Sequence, residues 1–341
     1  MVDDPAAAGT DIGHAMDLAI AESRRAQGSS SPNPPVGAVI LTADGAVVGR
    51  GFTQPVGGPH AEVMALREAG AAAAGATAVV TLEPCDHTGR TGPCTRALID
   101  AGVTAVYYAL DDPNPAASGG AERLRGAGLT VVGGIGAAEA EAGPLRGWLF
   151  RQRHGRPFVT AKIAASIDGR VAAPDGSSQW ITGDVARRRA HRQRALLDAI
   201  VVGTGTVWRD DPALTARHAN GDLRSHQPTR VVMGLRELPA GARVTDDSAP
   251  SRHVRTHDPA AVLADLPDAL WVLVEGGPAI IGAFLGADLV DEIEAYVAPI
   301  VIGAGPASVA IPDVTTLADA TRFGLGAVET LGSDVLLRLS R

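Results

Sequence analysis

The chain has 341 residues, a formal net charge of −8, 45% hydrophobic residues and only 4% aromatic residues. This length favours two domains, with cores built mainly from alanine and aliphatic side chains. The acidic balance argues against a nucleic-acid partner, because a negative surface repels phosphate backbones. The sequence contains no apolar run long enough for a membrane span and no secretory signal at its start, so we expect a cytoplasmic protein.

Helix and strand patterns alternate through the first half of the chain, which predicts a three-layer α/β domain. The predicted helices cover residues 12–26, 60–69, 95–101, 121–126 and 145–150. The predicted strands cover residues 36–41, 47–48, 78–82, 103–110 and 129–132. The first two strands flank Asp44-Gly45, a turn signal, and are expected to form a hairpin.

The composition changes between residues 143 and 157, where a basic, polar stretch follows the last predicted helix. We therefore predict one domain at residues 1–148 and a second at residues 149–341. In the second half, a helix followed by a strand is expected over residues 185–202, and a helix is expected from Pro278 to Leu285. Further strands are expected at residues 158–164, 229–233, 271–274, 293–302 and 335–339.

The only two cysteines, Cys85 and Cys94, follow the triplet His60-Ala61-Glu62. One imidazole and two thiolates are suitable zinc ligands, and they leave the fourth tetrahedral position open for water. Glu62 is too close in sequence to His60 to be an easy co-ligand. We expect it to act as general base and then as proton donor to a leaving nitrogen.

Zinc nucleobase deaminases carry the pattern H-x-E followed by P-C-x-x-C, and Pro84-Cys85 matches its second part. Here eight residues separate the cysteines instead of two. The alternative is a closed structural zinc site with His87 as the fourth ligand. That alternative gives Glu62 no purpose, so a catalytic site is favoured.

Four segments resemble the deaminase domain of the bifunctional riboflavin biosynthesis proteins, namely residues 32–37, 58–62, 81–94 and 112–115. The resemblance implies a cytidine-deaminase-like fold in which His60, Cys85 and Cys94 bind zinc. It also implies that Asn33, His87 and Arg90 line the substrate pocket. From the residues alone, Asn33 could be a turn between two prolines, and His87 and Arg90 a solvated loop tip.

Two positions depart from the pattern of that family. Thr53 stands where the family often has a histidine, which puts one substrate contact in doubt. Gly92 stands where the family commonly has proline.

The second half resembles the reductase domain of the same family over residues 162–170, 179–182, 203–207, 210–212 and 275–278. The resemblance implies an α/β fold like that of dihydrofolate reductase. It implies NADPH contacts from Ala164, Trp180, Thr206 and Asp210. From the residues themselves, Gly276 and Gly277 before a helix would let backbone N–H groups approach a dinucleotide phosphate. It implies substrate contacts from Ser178, Arg194, Leu214, Arg217 and Glu275.

The chemistry of three side chains in this half also suggests that they bind substrate. Lys162 is the only lysine in the chain and falls on a strand that lines the pocket in the related enzymes, so we include it among the substrate-binding residues. Arg194 and Arg217 are suitable bidentate partners for a 5′-phosphate. The remaining arginines of the predicted helix after residue 185 could simply be solvated.

The resemblance implies two steps of riboflavin synthesis, deamination of a diaminopyrimidinone ribosyl phosphate and reduction of the ribosyl group, in an enzyme that dimerises through its reductase domain. Three alternatives stay open at this stage. They are a deaminase that acts on nucleic acid, a deaminase with an inactive second domain, and a zinc-stabilised interaction protein without activity.

Overall fold

The computed structural model describes residues 5–87 and 92–341. The chain divides into two compact units, Met1–Arg156 and Pro157–Arg341. The domain boundary predicted after residue 148 lies inside a helix, Arg146–His154, that belongs to the first unit. No helix within the described ranges combines the length and the apolar character needed to cross a membrane.

The described part of the first unit forms one five-stranded sheet with helices packed against it. Its helices are α1 (Pro5–Ala26), α2 (Ala61–Ala69), α3 (Cys94–Asp100), α4 (Gly120–Gly126), α5 (Ala137–Ala142) and α6 (Arg146–His154). Its strands are β1 (Gly37–Leu41), β2 (Val47–Phe52), β3 (Thr77–Leu82), β4 (Ala105–Leu110) and β5 (Thr130–Val132). The strand order is β2-β1-β3-β4-β5. Strand β1 is antiparallel to both neighbours, whereas β3, β4 and β5 are parallel.

Two glycines let helices pack closely on opposite faces of this sheet. A Cβ at Gly37 would lie 1.9 Å from the carbonyl oxygen of Ala19 in α1. A Cβ at Gly51 would lie 2.2 Å from the carbonyl oxygen of Ala61 in α2. Gly51 pairs with Ala38, the neighbour of Gly37, and adjacent residues of a strand point to opposite faces. The sheet therefore lies between α1 and α2, which gives the predicted three layers.

The described part of the second unit forms one eight-stranded sheet. Its helices are α7 (Asp184–Arg194), α8 (Thr204–Asp210), α9 (Pro259–Ala264) and α10 (Pro278–Gly286). Its strands are β6 (Phe158–Ser166), β7 (Ala199–Gly203), β8 (Thr229–Met233), β9 (Ser251–Val254), β10 (Trp271–Glu275), β11 (Glu292–Ala298), β12 (Gly324–Leu331) and β13 (Asp334–Ser340). The strand order is β12-β13-β11-β6-β10-β7-β8-β9. The pairs from β11 through β9 are parallel, and β13 is antiparallel to β11 and β12.

The central strands of this sheet are buried on both sides. Val159, Val201 and Val274 belong to one apolar cluster, and Ile200 and Leu273 belong to a second. Near-continuous apolar runs are typical of parallel strands covered on both faces. A helix-strand alternation around such runs matches the α/β architecture that the sequence predicts.

Some predicted boundaries are wrong, and some elements were not predicted. The strand expected over residues 293–302 ends at Ala298, because the next residue, Pro299, has no N–H to donate to a strand ladder. Helix α8, which begins at Thr204 directly after β7, was not predicted. Strand β12 was missed because Gly324 and Gly326 weaken its pattern and it lies at the exposed edge of the sheet.

We expect Gly51→Ala to weaken the first unit, because the added methyl group would collide with the backbone at the start of α2. Overpacking of this kind costs about 1–3 kcal/mol of unfolding free energy. Urea unfolding with parallel measurement of bound zinc checks this expectation. In the matched control Gly13→Ala, the Cβ meets nothing within 4 Å and lies in α1, so stability should be unchanged or higher. Equal stability of the two variants would contradict the account.

Candidate active sites

Three potential metal ligands converge in the first unit. His60 Nδ1 lies 3.2 Å from Cys94 Sγ and 3.6 Å from Cys85 Sγ. All three ligand atoms lie within 4.8 Å of one another. With the usual zinc-nitrogen and zinc-sulfur bond lengths, tetrahedral angles separate nitrogen from sulfur by about 3.5 Å. The donor set and its spacing therefore fit zinc.

Each ligand stands where a regular element begins or has just ended. His60 is the N-cap residue of α2, and Cys94 is the first residue of α3. Cys85 follows β3, and its carbonyl oxygen accepts a hydrogen bond from the N–H of Thr95 at 3.2 Å. The positive amino ends of two helices favour ionised thiols at this point.

The buried carboxylate of Glu83 fixes the loop that carries Cys85. Its two oxygens accept hydrogen bonds from the N–H of Asp112 at 3.2 Å and from that of Ala121 at 2.8 Å. The loop after β3 is thereby tied to the loop after β4 and to the start of α4. A rigid support of this kind holds a ligand at the short distances that zinc requires.

The carboxyl group of Glu62 and the thiols of Cys85 and Cys94 shift one another's pKa values. Burial and the charge of Cys85 raise the pKa of Glu62 to about 7. A hydrogen bond from Cys94 and one from His60 lower the pKa of Cys85 to about 4. The same thiol pair, together with burial, raises the pKa of Cys94. A divalent cation between the two sulfurs would stabilise both in the ionised form.

The metal cluster keeps an open side within the part of the chain that the structure describes. In residues 5–87 and 92–341, His60, Cys85 and Cys94 form a three-membered cluster that no fourth His, Cys, Asp or Glu joins. His87, the fourth ligand of the closed alternative, instead lines an adjacent cavity of about 220 Å³. This arrangement argues against a closed structural zinc site.

The predicted substrate residues fall in this cavity as far as they are described. Asn33 and His87 line it together with His60, Glu62 and Cys85. Arg90 lies outside the described residues. Asp112 and Asn114 also line the cavity, although the sequence analysis did not name them as substrate residues. The Asp-Pro-Asn-Pro motif at residues 112–115 could have identified them.

Thr53 also lines this cavity, but its hydroxyl is committed to the backbone. The oxygen accepts a hydrogen bond from the N–H of Val36 at 3.0 Å. Thr53 is 4% exposed. It supports the strand that precedes the metal helix and leaves no long polar side chain at the place where the family often has histidine.

A larger cavity, of about 550 Å³, lies in the second unit. All twelve residues predicted for cofactor or substrate binding line it. They are Lys162, Ala164, Ser178, Trp180, Arg194, Thr206, Asp210, Leu214, Arg217, Glu275, Gly276 and Gly277. His191 and Tyr296 line it as well, and neither was singled out by the sequence.

The centre of this cavity is a cluster of one acid and two cations. Lys162 pairs with Glu275 across β6 and β10, and its Nζ lies 3.0 Å from Glu275 Oε1. Arg194 Nη2 lies 3.0 and 2.9 Å from the two oxygens of Glu275. Burial alone would raise the pKa of Glu275, but Arg194 and Lys162 hold it well below its usual range. The carboxylate is therefore ionised.

The two arginines proposed for phosphate binding make other contacts in this structure. Arg194 is engaged by Glu275, and its Nη1 donates to the carbonyl oxygen of Thr215 at 3.3 Å. Arg217 donates to Thr215 Oγ1 at 3.0 Å and to the carbonyl oxygen of Gly221 at 2.7 Å. Both still face the cavity, but Nη2 of Arg194 is bound to an internal carboxylate.

The other side of the cavity suits an anionic dinucleotide. Gly277 is the N-cap residue of α10, directly after β10. A Cβ at Gly276 would lie 2.9 Å from Ile280 and 3.3 Å from the hydroxyl of Thr206, so the backbone is approached closely there. Backbone N–H groups at a helix start, beyond the carboxyl end of a parallel strand, commonly bind phosphate. The residues present therefore fit NADPH.

Comparison with known proteins agrees with this division of the chain. Residues 10–110 match the family of the cytidine and deoxycytidylate deaminase zinc-binding region. Residues 157–337 match the RibD C-terminal domain family. These matches confirm the predicted order of a cytidine-deaminase-like domain and a reductase domain like dihydrofolate reductase.

Several proteins are similar over nearly the full length. The riboflavin biosynthesis protein RibD of Mycobacterium tuberculosis is 54% identical over 96% of this chain and 97% of its own. RibD of Escherichia coli is 40% identical over 95% of this chain and 98% of its own. A structure of the diaminohydroxyphosphoribosylaminopyrimidine deaminase/5-amino-6-(5-phosphoribosylamino)uracil reductase of Thermotoga maritima is 31% identical, with a TM-score of 0.86 and coverage of 97% and 99%. This chain therefore belongs to the RibD family of riboflavin biosynthesis proteins.

Proposed function

We propose that this chain catalyses two consecutive steps of riboflavin biosynthesis. The first is the hydrolytic deamination of 2,5-diamino-6-ribosylamino-4(3H)-pyrimidinone 5′-phosphate. The second is the NADPH-dependent reduction of the ribosyl group to ribityl. The observation that carries the proposal is a three-ligand zinc site beside Glu62 in one unit, together with a cavity around Lys162 and Glu275 in the other.

In the deaminase site, His60, Cys85 and Cys94 hold the metal. A zinc ion with three protein ligands supplies an activated water at neutral pH. Glu62 would take one proton of the attacking water and pass it to the ring nitrogen. It would then take the proton of the new hydroxyl group and pass it to the amino group, which leaves as ammonia when the C–N bond breaks. Asn33 and His87, which line the cavity, orient the pyrimidine, and we assign a further substrate contact to Arg90.

In the reductase site, bound NADPH would supply the hydride that reduces C1′ of the opened ribosyl group. Ala164, Trp180, Thr206 and Asp210, with Gly276 and Gly277, place the cofactor. Ser178, Arg194, Leu214, Arg217 and Glu275 place the substrate. Lys162 Nζ lies 3.0 Å from Glu275 in the cavity wall, and we assign it the role of orienting the reacting centre or donating a proton to it.

We also propose a cytoplasmic dimer that forms through the second unit. The zinc ligands favour a compartment in which thiols stay reduced. The edge strand β12 exposes Leu325 and Val328, which are 64% and 59% exposed. An apolar sheet edge of this kind is suited to burial against a second copy.

A mass-spectrometric assay with the diaminopyrimidine phosphate tests both activities directly. Net replacement of NH by O adds about 1 Da to the substrate. Addition of two hydrogens with NADPH then adds about 2 Da. An inactive second unit would give the first gain without the second, and a protein with only a structural zinc site would give neither.

We expect Glu62→Gln to lower ammonia release by about 10²- to 10⁴-fold, because the amide cannot move protons. Zinc content, measured by atomic emission, should stay at the wild-type level, because the three ligands remain. Reduction of pre-deaminated substrate is the internal control and should be nearly normal. Wild-type ammonia release by the variant would remove Glu62 from the mechanism.

We expect Lys162→Met to lower the reductase kcat by about 10²-fold or more, because the ammonium beside Glu275 is lost. Arg194 still pairs with Glu275 in this variant. Arg192→Met, which removes an exposed cation of α7, is the matched control and should keep full activity. Similar reductase rates for the two variants, with deamination normal in both, would contradict the role of Lys162.

A further inference from the structure

A buried tyrosine of β11 lies in the wall of the second cavity. Tyr296 is 1% exposed and still contacts the cavity. It stands opposite Ala164 of β6, and Glu294, two residues before it, stands opposite Lys162. Because residues two apart on a strand share a face, Tyr296, Glu294 and Lys162 lie on the same side of the sheet.

The hydroxyl of Tyr296 is committed to two neighbours. Arg189 Nη1 of α7 donates a hydrogen bond to it, and the hydroxyl donates to Glu294 Oε2 at 3.3 Å. Burial and the charge of Glu294 raise the pKa of Tyr296, so the phenol stays protonated. Because the hydroxyl already donates its proton to Glu294 and accepts a hydrogen bond from Arg189, it is poorly placed to give a proton to substrate.

The two partners of the hydroxyl are themselves firmly paired. Arg189 Nη2 and Nη1 lie 2.9 and 3.0 Å from the two oxygens of Glu294. The side chain of Glu294 is 3% exposed and that of Arg189 is 15% exposed. A bidentate pair with little solvent access is geometrically specific, so it holds the Tyr296 hydroxyl in place. The ring itself is packed in a buried cluster with Ala186, Leu331 and Leu336.

The face of that ring is turned to the only lysine of the chain. Lys162 Nζ lies over the ring of Tyr296, 5.6 Å from its centroid. Cations within about 6 Å of a ring centroid are attracted to the aromatic face. Glu275 holds the same ammonium at 3.0 Å from another strand. A flexible four-carbon side chain is thus restrained by two contacts.

We propose that Tyr296 is a positioning residue of the reductase, whose ring holds the ammonium of Lys162 toward the reacting ribosyl carbon. Packing against Ala186, Leu331 and Leu336 holds the ring in place, and the ring acts through Lys162. The inference rests on the proposed reductase function and adds to it a residue that need not touch the substrate.

Two variants separate the ring from the hydroxyl. Tyr296→Leu removes the aromatic face and should lower kcat of the reductase by about 3- to 30-fold. The KM values for NADPH and substrate should stay within about twofold, because no binding contact is removed. Tyr296→Phe keeps the face and should retain kcat within about threefold of wild type. Deamination, measured in the same preparations, should be equal in all three proteins.

A spectroscopic measurement reports the position of the lysine without turnover. Protein labelled with ¹³C at lysine Cε gives one side-chain signal, because Lys162 is the only lysine. The attached protons should resonate upfield in wild type and in Tyr296→Phe, since they lie over a ring, and should move downfield in Tyr296→Leu.

The outcomes separate this inference from the function on which it rests. Wild-type protein that deaminates but does not reduce with NADPH would overturn the reductase function and the inference with it. Active wild type with equal kcat in Tyr296→Leu and Tyr296→Phe would overturn the inference alone. Loss of kcat or of the upfield lysine signal in Tyr296→Phe would also overturn it, because the ring face is intact in that variant.

Discussion

The first unit depends on the meeting of two helix starts and one strand end at a single point. His60 caps α2, Cys94 begins α3 and Cys85 follows β3, so each ligand is fixed by an element that the sheet supports. The close approach of α2 to the sheet at Gly51 places His60 and Glu62 together. Three donors at this spacing bind a tetrahedral ion and leave one position for water, and the acid two residues after the histidine is already within reach.

In the second unit the corresponding constraint is a layer of buried charge between the sheet and α7. Glu275 forms salt bridges with Lys162 and Arg194, and Glu294 forms one with Arg189. Lys162, Arg194 and Glu275 line the cavity and carry two positive and one negative formal charge, so this part of the wall keeps an excess positive charge. An anionic cofactor and a phosphorylated substrate suit such an environment. The buried pairs also fix the geometry of the site, since each loses solvation that only a well-placed partner offsets.

The sequence predicted the chemistry better than the boundaries. Cysteine is rare in this chain, which made Cys85 and Cys94 easy to identify as candidate ligands. Their position after His60 and Glu62 in the sequence was the basis for predicting a zinc site. Tyr296 was not predicted, because a single tyrosine in an apolar strand reads as core until the register with Lys162 is known. Arg194 was expected on a phosphate, but its Nη2 donates to Glu275, a contact between residues far apart in sequence. Contacts across strands of distant sequence position are set by the sheet order, which local patterns do not contain.

We propose that one imidazole and two thiolates hold a zinc ion whose fourth position stays open to water beside Glu62. X-ray absorption at the zinc edge of the purified protein tests this claim most directly. The account predicts two sulfur neighbours at about 2.3 Å and two lighter neighbours at about 2.0–2.1 Å, one of which exchanges with solvent. A spectrum with a third sulfur, or with two protein nitrogens and no exchangeable ligand, would contradict it.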